Sequence, residues 1–199
     1  MKFIPVFLLF LLPFPVFAQD QNPFQSATIG FKITKPDDWE FFSAEQNLNN
    51  MKNVKLSDNE FHQLMMKYSN APFVAMMKHP EPFDDLNPSL KINIKPLGQF
   101  KGTDPKHILG FFVPQFQKIF QDFKLVQPPM DTKLGGLAAA YMRINFTLAI
   151  SDGRSFPATS ELWIVPRGDY FFMIGAGTRQ DEETGSREEI AEILSSMVL

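Results

Sequence analysis

Apolar and polar positions alternate along this chain with a period of two in some stretches and of 3.6 in others. Ile29, Phe31 and Ile33 alternate with Thr28, Gly30, Lys32 and Thr34, which predicts a strand with one buried face. Lys35-Pro36-Asp37-Asp38 predicts a turn, because Pro presets φ and Asp bonds the local backbone, and Trp39 follows. Ala44, Leu48 and Met51 mark a weak helix. A better-signed one opens with a capping box at Ser57 and Glu60, ahead of Phe61, Leu64, Met65 and Tyr68. Residues 72–78 read as a strand, and Leu90, Ile92 and Ile94, alternating with Lys91, Asn93 and Lys95, read as another. Between them lies a Pro-rich loop, 79–85.

Asp104 and Pro105 supply an N-cap and first residue for the longest predicted helix, 104–123. Its apolar positions are Ile108, Leu109, Phe112, Phe116, Ile119, Phe120 and Phe123, and Pro114 inside it predicts a kink or a split. Residues 140–150 alternate as one long strand. Turns at 151–154 and 166–169 lead into strands 156–165 and 170–176, the last apolar on both faces and so expected at the centre of a sheet. Ser186 and Glu189 form a second capping box before Ile190, Ile193, Leu194 and Met197. The expected fold is α+β: mainly an antiparallel sheet meander covered by helices on both faces, an α/β/α sandwich.

The first eighteen residues follow a different pattern. Lys2 precedes an apolar run from Phe3 to Val16, and the stretch ends Val16-Phe17-Ala18 before Gln19. That is the layout of a cleaved export signal, and the run is shorter than the roughly twenty residues a membrane-spanning helix needs. The expected organisation is a signal peptide at 1–18, a flexible lead-in at 19–27 and a single domain at 28–199. The processed protein is expected in the periplasm or outside the cell, away from the membrane.

Composition narrows the chemistry. The chain has no Cys, so the domain relies on core burial and not on disulfides. A net charge of −3 without a basic cluster excludes nucleic acid as a partner. The three His residues (His62, His79 and His107) lie in unrelated contexts, and no nucleophile elbow accompanies them. Only His79, Glu81, Asp84 and Asp85 crowd together as metal-type ligands, though Pro80 and Pro82 extend that loop and spread them. Met65-Met66 and Met76-Met77 read as core filler. Gly175-x-Gly177 follows a strand but precedes a polar loop, so it does not read as a phosphate cradle. No cofactor is expected. The surplus is aromatic: 22 Phe, with Phe111 off the stripe of the long helix. Trp39, Phe83 and Phe111 are the candidate partner-binding side chains.

Gly30-Phe31-x-Ile33-x-x-Pro36-x-x-Trp39 resembles the opening strand and turn of the PsbP-like family. Asn87-Pro88, Gly168-Asp169-Tyr170-Phe171 and the run from Glu189-Ile190 to Ile193-Leu194-x-Ser196 are similar to its later punctuation. The resemblance implies a fold used for binding partners, and no reaction. The expected function is therefore a non-enzymatic binding or assembly module with a protein partner. A carrier of an apolar or lipid-like small molecule is the alternative, and a metal-dependent hydrolase on the 79–85 loop the second alternative.

Overall fold

The computed structural model describes residues 22–43, 54–55, 72–181 and 183–199. The export-type start and the helices expected around 44–51 and 57–68 lie outside the described residues. Strand β1 (Asn22–Ser26) falls inside the expected lead-in and pairs antiparallel with β2 (Phe31–Lys35). Phe24 explains the pairing: its ring packs edge-on against Phe31 and Phe73, at 6.1 and 5.2 Å between centroids.

The main sheet has eight strands. Along the chain these are β3 (Glu40–Phe41), β4 (Val54–Lys55), β5 (Val74–Met77), β6 (Ser89–Pro96), β7 (Gln121–Leu134), β8 (Leu137–Ile150), β9 (Ser155–Arg167) and β10 (Tyr170–Arg179). Their spatial order is β3-β5-β6-β10-β9-β8-β4, with β7 also paired to β8, and every pairing is antiparallel. β10 is central, as a strand apolar on both faces requires.

Helix α1 (Pro105–Ile119) starts as expected, with the Asp104 carboxylate accepting from the backbone N–H of Lys106 at 2.8 Å. Two expectations for this segment are corrected. The helix is not split at Pro114; Pro114 and Gly110, whose carbonyl loses its helical donor, are both exposed to water. It also ends earlier than 123: Phe120 is already extended, and residues 121–134 form β7. Phe123 and Leu125 sit half-buried in alternation with exposed Lys124 and Val126, a period-two pattern that a helix could not satisfy. Asp122 at φ 55° and a register shift beside it mark the change.

Helix α2 (Ser186–Ser195) differs at its start. Gly185, at φ 78°, is the N-cap, and Ser186 is buried in the first turn. Glu189 does not return to the cap; its carboxylate accepts from Trp39 Nε1 at 3.0 Å and pairs with Lys78 Nζ at 2.7 Å. A charged, half-buried partner outcompetes a backbone N–H for that carboxylate.

Strand alternation divides the sheet residues into two sets. Phe172, Ile174 and Ala176 of β10 pack with Leu90, Ile92 and Val165 and with Ile190 and Ile193 of α2. Phe171 and Met173 belong instead to the cluster built on Met142, Ile164 and Ile108 and Leu109 of α1. The fold is α+β, a mostly antiparallel sheet with two helices among the described residues.

Candidate functional site

The set of β10 side chains on the α1 side shrinks along the strand: Phe171, Met173, Gly175, Gly177. Phe171 and Met173 fill the space under the helix, Gly175 leaves it hollow, and at Gly177 the Ser89 hydroxyl lies 3.3 Å from where a Cβ would stand. A Cβ built at Gly175 would meet nothing within 4 Å, so the missing side chain is replaced by open space. Cross-strand pairing sets the neighbours of this hollow. Lys91 lies opposite Gly175 on β6, and Leu162 lies opposite it on β9. Ser89 and Ser160 flank Gly177 in the same way.

The result is a groove of about 450 Å³, within the size range of small-molecule sites. Phe112 and Phe116 of α1 form one wall, and Phe146 and Leu148 of β8 close an end with Leu86. Among the described residues α1 packs on β7, β8 and β9 and leaves the β6–β10 part of this face uncovered.

Lys91 brings the charge. It lines this groove and also a neighbouring hollow bounded by Glu81, Phe83, Asp85, Asp152 and Arg154. Burial holds its amine below the ordinary lysine value, because a low-dielectric surrounding disfavours the ammonium form. No carboxylate opposes that shift. The nearby acids are committed elsewhere: Asp85 to Arg179 at 2.6 Å, Asp152 to Arg154 at 2.7 Å, and Glu81 to the Asn87 side-chain amide at 3.0 Å. Among the described residues Lys91 has no hydrogen-bond or ion-pair partner.

The residues singled out in the sequence are dispersed. Trp39 is fully buried, its indole N–H held by Glu189, so it belongs to the core and not to an accessible surface. Phe83 stacks on His79 with ring centroids 4.3 Å apart. Phe111 is the most exposed of the large apolar side chains described, at 66%, and leans on Phe100. Glu81 also accepts from the Phe83 backbone N–H, while the main-chain carbonyl of Asp84 accepts from Arg154. Among the described residues no three His, Asp or Glu side chains gather to hold a metal ion; Glu81 binds within and beside its loop, and Asp85 pairs with Arg179 of β10. Sequence reasoning missed the groove. Its signal was present in Gly175-x-Gly177, two glycines on one face of a central strand, which hollow out a packed surface.

No protein-family model and no curated protein matches the chain. Solved structures do. LpqN of Mycobacterium tuberculosis, involved in cell envelope biogenesis, aligns at 14% identity over 92% of this chain and 86% of its own, with a TM-score of 0.50. Cyanobacterial PsbP (CyanoP) of Synechocystis sp. PCC 6803 aligns at 12% identity over 93% and 95% of the two chains, also at 0.50. The Ran-binding protein Mog1p of Saccharomyces cerevisiae aligns at 11% identity over 90% and 95%, again at 0.50. The chain has the PsbP-like fold that its opening strand and turn resemble.

Proposed function

We propose that this protein is an exported, non-enzymatic binding module whose ligand is an apolar small molecule seated between α1 and β10. The observation that carries this reading is the groove over Gly175 and Gly177, concave and walled by Phe112, Phe116, Leu162 and Met173. Exposing such a surface without an occupant is unfavourable, at about 25 cal/mol for each Å² of apolar area left in water. Export is supported by the chain's own start, Lys2 with the apolar run to Val16 and Ala18. The likeness to LpqN, a protein of cell envelope biogenesis, points the same way, and the likeness to Ran-binding Mog1p fits a binding role.

The test is a fluorescence titration with the neutral apolar dye N-phenyl-1-naphthylamine. The wild-type protein binds it saturably, and Gly175→Leu, which fills the open space above β10 without a strained φ, weakens binding at least about tenfold. A wild-type titration without saturable emission would remove this reading.

A second reading, a protein-contact surface, rests on Phe111 and Phe100, which meet at 5.5 Å beside the exposed turn of α1. It is favoured if Phe111→Ser abolishes capture of a reproducible envelope partner while dye binding persists.

A further inference from the structure

We infer that the groove takes a single-chain amphiphile with a monoanionic head, a long-chain carboxylate, whose head pairs with Lys91 while its chain lies over Gly175 and Gly177. This rests on the groove being a ligand site and names the class of ligand.

Charge selects the head. Lys91 lines the apolar groove with no hydrogen-bond or ion-pair partner among the described residues; of the acids across the neighbouring hollow, Asp85 and Asp152 are ion-paired, and Glu81 accepts from the Asn87 amide and the Phe83 N–H. An ammonium group desolvated in this way is complementary to an anion that enters with it, because the pair restores the interaction that burial removed. Ser89 and Asn93, the same-face neighbours of Lys91 on β6, both line the groove and offer a hydroxyl and an amide to the same head. The other cations nearby, Arg154 and Arg179, are held by Asp152, Asp85 and Asp181. Among the described residues that line the groove Lys91 is the single charged one, and one positive charge there favours a carboxylate over a doubly charged phosphate.

Shape selects the tail. Gly175 and Gly177 lie two residues apart on one face of β10, so the trough runs along a strand, about 7 Å per pair of residues, and not into a round cavity. Met173 and Leu162 border it and Phe112 and Phe116 roof it. An extended alkyl chain fits this form better than a fused-ring ligand.

Dodecanoate and 1-dodecanol share a chain and differ in the head. Each is titrated below its aggregation limit against the dye-loaded, full-length protein. The expected result is that dodecanoate displaces the dye at a concentration at least about tenfold lower than dodecanol. Lys91→Met brings the ratio of the two to near one, and Lys91→Arg, which keeps the charge, keeps the preference. Circular dichroism confirms that both variants are folded. Equal displacement by the two probes in wild type, or a preference that survives Lys91→Met, overturns the inference and leaves the groove reading standing. If the dye shows no saturable binding at all, the groove reading and this inference fall together.

Discussion

Lys91 is partly buried between two grooves with no ion-pair partner among the described residues, and burial disfavours its charged form. Folding therefore works against it. The sign of its pH dependence follows from the lowered amine value. Below that value the amine is charged in both folded and unfolded chains, and the full desolvation cost is present. As pH rises through it, the folded chain releases the proton while the unfolded chain still holds one, so stability is gained until the ordinary lysine value is reached. Lys91→Met removes the charge and keeps the length of the side chain. We expect it to stabilise the protein at neutral pH by at most about 1 kcal/mol, because Lys91 is only partly buried and its amine borders open grooves. The gain should shrink as pH climbs towards 10. Urea unfolding of the two proteins at several pH values measures this, and a variant less stable than wild type at pH 7 would show that Lys91 serves the fold instead of a ligand. Glu189 is the opposite case. It too is a charge inside the protein, but Lys78 and the Trp39 indole use both of its oxygens, so it binds α2 to β5 and β3 surroundings rather than waiting for a guest.

At the scale of elements, legibility in the sequence tracked how far each signal was local. β2, β6, β8, β9 and β10 lie within a few residues of where alternation places them, because a strand with one buried face writes that face into every second residue. β7 was not legible. Its Pro128-Pro129 pair argues against a strand, and only its position beside β8, with register shifts where the prolines fall, makes it tolerable. The cap of α2 was misread for a related reason: a Ser-x-x-Glu spacing predicts a capping box only where nothing distant claims the Glu. The cap of α1 was legible because Asp104 acts on Lys106, two residues away. Asp104→Ala should cost about 1 kcal/mol, the ordinary worth of such a cap. Because α1 forms the aromatic wall of the groove, the same substitution should loosen dye binding as well as lower the urea midpoint. A lower midpoint with unchanged dye affinity would mean that fraying at Asp104 does not reach Phe112 and Phe116.

The whole molecule divides its labour between the two faces of β10. On one, Phe172, Ile174 and Ala176 are buried among β1–β2, β5, β6 and α2, a packed core in which little space remains. On the other, packing is complete under α1 at Phe171 and stops at Gly175, where the groove begins. The candidate site was only partly legible in the sequence: Gly175-x-Gly177 signals a hollow on one face of the central strand, but which residues line it depends on distant pairings, and Lys91 looks like any solvated strand lysine until the strands beside it are known. The division makes stability and binding separable. Phe172→Ala leaves a cavity in the packed face and should cost about 3–5 kcal/mol, with the protein that remains folded binding N-phenyl-1-naphthylamine as tightly as wild type. Gly175→Leu should do the reverse. It fills open space on a central strand where glycine is itself unfavourable, so stability should stay within about 1 kcal/mol of wild type while dye binding is lost. Unfolding midpoints and dye titrations on the two variants decide the matter. If Phe172→Ala weakens dye binding in step with stability, the groove depends on the core behind it and the faces act as one; if the two measurements part, the hollow is a site that the fold supports without needing it for its own stability.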